Sequence, residues 1–144
     1  MVRKDRKFSV SSIEDIKNNN LSFVNRQKGS GTRLLFDYEL KKAGINPEEI
    51  AGYEREELTH LAVAAAVKNE DADCGIGVYS AANIMNLDFI PIGDEHYDLV
   101  MPVKYLGLES FFEFLNTIKS DEYKKQLDKM GGYAYDELGK MIYL

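Results

Sequence analysis

The chain of 144 residues is poor in the side chains that form disulfides and metal centres. Its single cysteine, Cys74, excludes an intrachain disulfide and a cysteine-based zinc site. The two histidines, His60 and His96, are far apart in sequence and lack a metal-binding pattern such as HExxH. The sequence therefore predicts neither a bound metal nor a cofactor.

Long apolar and long basic runs are also absent. No segment approaches the roughly 18 consecutive apolar residues that a membrane span requires. A net charge of -6 without a basic patch argues against nucleic acid as a partner. The basic opening MVRKDRK has no apolar stretch behind it to make a signal peptide, so residues 1–10 are predicted to form a solvated end. We expect a soluble, cytoplasmic protein without membrane contact.

No group of side chains has a pattern typical of catalysis. Ser30 lies in GSGT rather than in GxSxG, and neither histidine has a recognisable partner. Glu95 and Asp98 suit a solvated turn better than an acid–base pair, and Cys74 is predicted to be an inert core residue. We therefore expect no catalytic residue in this chain.

Helical and extended patterns alternate along the sequence, which predicts an α/β fold with an open sheet flanked by helices. The first predicted helix begins at a capping box of Ser11 and Glu14 and ends at Asn18. Another is capped by Thr59 and is predicted to be nearly fully buried. Further helices are predicted over 32–43, 80–86, 108–118 and 121–130. Strands are predicted over 21–24, 74–78 and 87–92, with a further extended run over 97–105.

The stretch RQKGSGTR, which runs from Arg26 to Arg33, lies where the first strand passes into a helix. It fits neither the GxxxxGK[ST] spacing of a P-loop nor GxGxxG. Its glycines, its hydroxyls and the free amides of the first helical turn suit a compact anion, which Arg26 or Arg33 would contact by charge. Alternatively, Ser30 only caps the helix. The members of the turn are Gly29, Ser30, Gly31 and Thr32.

Two later strand-to-helix junctions point to the same edge of the sheet. Thr59 and His60 open the second long helix, and Tyr79 stands at the third junction. In open α/β sheets, ligands bind outside the carboxyl ends of the strands, so these side chains are candidates for ligand contact. Capping by Thr59 and ordinary packing by Tyr79 explain the same residues without a ligand.

Three quoted segments together resemble one known family. FVNRQKGSGTRLLFDYELKKAGI, THLAVAAAVKNEDADCGIGVYSAA and LDFIPIGDEHYDLVMP are similar to the periplasmic-binding-protein-like domain of molybdopterin biosynthesis proteins and helix-turn-helix regulators. The resemblance runs from about Ser11 to GGYAYDELGK. It implies a type II solute-binding fold, in which two α/β lobes clamp a small ligand across a hinge.

The resemblance also implies a ligand and its contacts. The GSGT turn resembles those of tungstate- and phosphate-binding proteins, so molybdate or tungstate is the implied oxyanion. Arg26, Ser30, Gly31 and Thr32 match the oxyanion turn. Arg33 fits the motif as well, and Thr59 and Tyr79 are candidates at the facing helix starts.

The chain departs from the family because the segment that would build most of the first lobe, before Ser11, is absent. On this reading residues 11–93 form the ligand-binding lobe, and residues 94–144 recross the hinge and belong to the incomplete first lobe. The last helices then lack their sheet, so their apolar side chains predict an exposed surface suited to a homodimer. These side chains are Phe111, Phe112, Phe114 and Leu115.

Three functions follow as hypotheses. The first is a non-catalytic domain that binds or senses a small oxyanion in connection with molybdopterin cofactor biosynthesis. The second is the effector-binding domain of a transcriptional regulator, fused to a regulatory module. The third is a substrate-carrying module of a transferase in cofactor biosynthesis, although no acid, base or nucleophile in the chain supports catalysis.

Overall fold

The computed structural model describes residues 1–5 and 10–143 of the chain. These residues divide into two compact units, Met1–Ile92 and Gly93–Leu144. The first unit contains a parallel sheet with helices on both faces, and the second is helical. The predicted α/β class, with an open sheet flanked by helices, is confirmed.

The sheet has three strands, β1 (Phe23–Arg26), β2 (Glu56–Glu57) and β3 (Cys74–Gly75). β1 lies in the centre and pairs in parallel with both neighbours. Every residue of β1 is buried. Because the strands are parallel, the carboxyl ends of all three lie at one edge of the sheet, and each is followed by a helix.

The first helix, α1 (Ile13–Asn18), begins one residue later than the predicted capping box. The Asp15 carboxylate, rather than that of Glu14, accepts hydrogen bonds from the backbone N–H groups of Ser11 and Ser12 at 2.7 and 3.0 Å. The strand predicted over 21–24 is also displaced, because the Leu21 amide closes the helix end by donating to the Ile16 carbonyl.

The helix α2 (Gly31–Lys42) covers one face of the sheet together with α1. Phe36 and Leu40 are fully buried there, and the Phe36 ring stacks on that of Phe23 with a centroid separation of 4.5 Å. The helix ends one residue before the predicted end, and Gly44, with a φ of 69°, follows its C-cap residue Ala43. This packing holds α2 rigidly where it leaves the carboxyl end of β1.

The helices α3 (His60–Lys68) and α4 (Tyr79–Ile84) cover the opposite face. Val63 of α3 packs in a core cluster with Val24 of β1, and alanines of both helices complete that cluster. The prediction that α3 is nearly all buried is wrong, because Leu61 on its outer face is 46% exposed. Since α2 and α4 leave adjacent strands toward opposite faces, the edge between β1 and β3 is a topological switch point.

The start of the chain does not form the predicted solvated end. Met1 and Val2 are buried, and the Met1 amine donates to the carbonyl of Gly75 at 2.9 Å. Val2 bridges to Cys74 on one side and to Asp88 on the other, both in antiparallel fashion. The rest of this prediction covers residues 6–9, which lie outside the described residues.

Val2 also explains why the predicted strand over 87–92 is not found. Because Val2 occupies the position beside β3, the backbone pairing that the structure describes for this segment is the Val2–Asp88 bridge, although Ile90 and Ile92 pack on the core. The strand predicted over 74–78 is shorter than expected, since β3 ends at Gly75. Cys74 is buried as expected, and burial raises the pKa of its thiol to about 12, so the thiolate does not form near neutral pH.

The second unit contains α5 (Glu109–Lys119) and α6 (Asp121–Met130), close to their predicted bounds. The extended run predicted over 97–105 is not a strand, because Pro102 is followed by a 3-10 turn, Val103–Tyr105. Neither helix buries a residue, and Phe112 is 54% exposed. The predicted dimer through these helices stays a prediction. No helix among the described residues is long and apolar enough to cross a membrane.

Candidate functional site

Arg26, the last residue of β1, lies at the carboxyl edge of the sheet and is only 8% exposed. Its Nε donates to the Gln27 side chain at 3.2 Å, and its Nη2 donates to the Leu58 carbonyl at 3.0 Å. Its Nη1 lies 2.9 Å from Nδ1 and 2.8 Å from Nε2 of His60. The Gln27 side chain and the Leu58 carbonyl are uncharged. The His60 ring can accept a hydrogen bond only in its neutral form.

Among the described residues, the charge of Arg26 therefore has no counter-ion. No aspartate or glutamate of that part of the chain pairs with it, and burial alone shifts the pKa of its guanidinium downward. A buried cation without an anion is costly unless a charged partner arrives. A guanidinium has five N–H donors, and Nη2, which donates to the Leu58 carbonyl, keeps a second donor for a ligand.

His60 begins α3 beside this guanidinium and is half-buried. Burial and, second, the charge of Arg26 lower the pKa of its ring, so the imidazole is neutral at pH 7. Gly77 also lies close to this ring, because a β-carbon there would come within 3.3 Å of the His60 Nδ1 and would collide with the Met1 side chain. Glycine at position 77 thus allows the loop before α4 to approach the Arg26–His60 pair closely.

The GSGT turn enters α2 next to Arg26. Gly29 has a φ of 87°, which suits glycine, and the Ser30 Oγ accepts from the Arg33 amide at 3.2 Å. The helix cap predicted for Ser30 is therefore present, yet the hydroxyl proton of a capping serine is still available as a donor. The amides of Gly31 and Thr32 belong to the first turn, where helix geometry provides no carbonyl acceptor.

Arg33, which sequence analysis also placed among the ligand contacts, has its side chain directed into the protein interior. Its Nη1 lies 2.5 Å from the Glu56 carboxylate and donates to the Arg26 carbonyl at 3.3 Å. Its guanidinium carbon lies 4.5 Å from the centre of the Tyr53 ring. The charge of Arg33 is thus balanced within the fold, in contrast to that of Arg26.

The two remaining candidates stand at the starts of α3 and α4. Thr59 caps α3, since its Oγ1 accepts from the Ala62 amide at 3.0 Å. Tyr79 is 42% exposed, and its ring meets that of Phe89 edge-on with a centroid separation of 5.5 Å. Both residues lie at the predicted edge, and their ligand contacts stay a prediction.

Sequence reasoning missed Gly77, Gln27 and the Leu58 carbonyl, each of which contacts Arg26 or His60. The Gly75-Ile76-Gly77 pattern is the available signal for Gly77, because glycine where a strand passes into a helix permits close backbone approach. No sequence pattern marks the Leu58 carbonyl, because a backbone atom contacts Arg26 through the fold alone.

Comparison with known families assigns the chain to a family. Residues 1–119 match the profile of the family described as the PBP superfamily domain. The chain belongs to this family of periplasmic-binding-protein-like domains, whose matched region includes the sheet edge with Arg26, the GSGT turn and the start of α3.

Two relatives extend the comparison. The chain is 37% identical over 142 residues to the uncharacterized protein YvgK of Bacillus subtilis (strain 168), with 98% of this chain and 45% of YvgK covered. It is 36% identical over 110 residues to an uncharacterized protein in the ferredoxin 2Fe-2S gene 5' region of Clostridium pasteurianum, covering 76% of this chain and 97% of that protein. The chain thus spans less than half of YvgK. No solved structure matches it significantly.

Proposed function

We propose that this domain binds a small oxyanion, without catalysis, at the carboxyl edge of the sheet beside Arg26. The single observation that carries the proposal is the buried Arg26 guanidinium, which has no counter-ion among the described residues and keeps a second donor on Nη2 for a ligand. A bound anion would balance this charge in a setting of low dielectric, where the attraction is strongest.

The surrounding groups supply neutral donors of matching size. The first-turn amides of α2 and the Ser30 hydroxyl are separated from Arg26 by only a short turn, and the dipole of α2 favours negative charge there. Such donors suit a compact tetrahedral oxyanion. Molybdate or tungstate is the class that the family resemblance implies, and we propose a role in molybdopterin cofactor metabolism on the same basis.

The test is isothermal titration of the chain with molybdate, tungstate, sulfate and phosphate. Saturable binding is expected, and Arg26→Ala is expected to weaken it at least about tenfold, as loss of a charge-assisted hydrogen bond implies. Thr32→Val, which keeps the shape of a buried side chain, is expected to weaken binding without unfolding the domain. Unchanged affinity in both variants would refute the proposal.

A matched control uses an exposed arginine of the same unit. Arg55 donates to the backbone carbonyl of Asp71 and lies outside the candidate site. Arg55→Ala removes the same formal charge as Arg26→Ala, so it should leave the oxyanion affinity within about twofold at moderate salt, where distant surface charges are screened. Equal losses in the two variants would indicate a nonspecific charge effect.

A further inference from the structure

We propose that oxyanion binding at Arg26 is coupled to proton uptake by His60, so that the site takes up a fully ionised anion together with one proton. This inference rests on the proposed oxyanion site and adds a second role to it. In this scheme His60 is the group that adjusts the charge of the site to the charge of its ligand.

The contact with Arg26 favours the neutral state of His60 before a ligand arrives. Both ring nitrogens lie close to Arg26 Nη1, at 2.9 and 2.8 Å. Because Nη1 is nearly equidistant from the two nitrogens, whose in-plane lone pairs point apart, it lies against the ring rather than along one lone pair. Protonation of the ring would place two cations against each other, so this contact favours the unprotonated ring.

Arg26 is also the charged group that acts on the ring. From the loop before α4, the residue that reaches His60 is Gly77, which has no side chain. From β2, the Glu56 carboxylate is held by Arg33. The Met1 amine donates to the Gly75 carbonyl, and the Met1 side chain reaches Gly77.

Within the part of the chain that the structure describes, Arg26 is the charged group that shifts the pKa of His60. Within α3 itself the side chains between His60 and Lys68 are uncharged, and Lys68 is the last residue of that helix. At the start of α4 stands Tyr79. Burial and the Arg26 charge, in that order, lower the pKa of the ring, and of these two causes a bound anion removes the second.

A bound dianion makes the protonated form of His60 more favourable. Once the anion occupies the free Nη2 donor of Arg26, the guanidinium charge is compensated and the repulsion on a protonated ring falls. The proton comes from solvent and forms an N–H bond on the ring nitrogen that was unprotonated. The positive charge of the imidazolium then lies beside the anion and is stabilised by it. One proton is gained for each dianion, and no other bond forms or breaks.

The experiment is calorimetric titration of the full chain with sulfate and with molybdate, neither of which changes protonation between pH 6 and 8. Titrations at one pH in buffers of different ionisation enthalpy report the protons taken up. We expect net uptake approaching one proton, and affinity that rises as pH falls from 8 to 6. The gain is up to about tenfold for each unit by which the anion raises the His60 pKa.

Two variants separate this role from a structural one. His60→Gln is expected to give a flat pH profile without proton uptake, whereas His96→Gln, which alters the exposed histidine of the second unit, should keep both effects. As a direct check, NMR titration of the His60 ring should show a higher pKa with saturating sulfate than without it.

The failures of the two proposals are distinguishable. Arg26-dependent binding with no proton uptake, with a flat pH profile, or with a pH dependence that persists in His60→Gln would overturn the coupling and leave the oxyanion site intact. Absence of Arg26-dependent binding at every pH would overturn both proposals.

Discussion

The Arg33 guanidinium lies over the ring of Tyr53, with 4.5 Å between its central carbon and the ring centroid. The Tyr53 hydroxyl in turn donates to the Asp37 carboxylate at 2.7 Å, and Arg33 itself pairs with Glu56. This chain of contacts ties α2 to the sheet through the residue that immediately follows the GSGT turn. One arginine of RQKGSGTR therefore holds the fold together, and the other faces the candidate site.

This division of roles predicts a stability effect for Arg33. Arg33→Met should lower the free energy of unfolding by about 2 kcal/mol, because it removes charge-assisted hydrogen bonds and leaves Glu56 without its partner. Urea denaturation monitored by circular dichroism measures this change. Arg55→Met is the matched control and should change stability by less than about 0.5 kcal/mol. Full stability of Arg33→Met, combined with lost oxyanion binding, would instead place Arg33 among the ligand contacts.

Two glycines with positive φ allow a test of close backbone packing. Gly52 has a φ of 89°, and a β-carbon there would collide with the Phe23 carbonyl oxygen of the central strand. Gly44, with a φ of 69°, has open space around the corresponding position. Gly44→Ala should cost about 1 kcal/mol from backbone strain alone, and Gly52→Ala at least twice as much. Equal losses in thermal or urea unfolding would contradict the packing of Gly52 on β1.

The cap of α3 gives a third prediction. Thr59→Ala should destabilise the domain by about 1 kcal/mol, because the Ala62 amide loses its acceptor. Thr59→Ser keeps the hydroxyl and should retain most of the stability. Urea denaturation of both variants measures the effect, and a loss as large in Thr59→Ser as in Thr59→Ala would show that the hydroxyl is not what matters.

The pH dependence of stability follows from the state of His60. The pKa of its ring in the folded protein lies below the ordinary value of 6.5, so the unfolded chain binds a proton more readily. The contribution of the neutral His60 ring to the free energy of unfolding is present above pH 6.5 and is lost as the pH falls through 6.5 toward the pKa of the folded state. His60→Gln should reduce this loss between pH 7 and 5, as measured by urea unfolding at each pH. A slope identical to that of the unaltered chain would contradict a neutral buried ring.

The sequence allowed the order of elements to be predicted because local signals mark most helix ends. Thr59 caps α3 as predicted, and α6 has the predicted bounds because Ser120 caps its start and Gly131 and Gly132, both with positive φ, follow its end. These signals act within a few residues, so no knowledge of the tertiary structure is needed to read them.

The errors concern elements that depend on distant partners. The predicted strand over 87–92 fails because Val2, more than 80 positions earlier, occupies the place beside β3. Hydrophobic pattern gives a segment its tendency to be extended, but it does not say which neighbour will pair with it.

The candidate site was predicted only in part, because some of its contacts also depend on distant partners. The GSGT turn and the starts of α3 and α4 lie together at the carboxyl edge, as the strand-to-helix pattern indicates. The different roles of Arg26 and Arg33 could not be predicted from the sequence, because the two residues occupy symmetric positions around the turn. It depends on Glu56 and Tyr53, which reach Arg33 across the fold and leave Arg26 facing His60.

The most direct test of the oxyanion site is an NMR titration of isotopically labelled chain with molybdate, followed through backbone amide and arginine side-chain signals. The account predicts saturable shifts concentrated on residues 29–32, on the start of α3 and on the Arg26 Nε–H, and their loss in Arg26→Ala. Saturable shifts that centre elsewhere, or that persist unchanged in Arg26→Ala, would contradict an oxyanion site at Arg26.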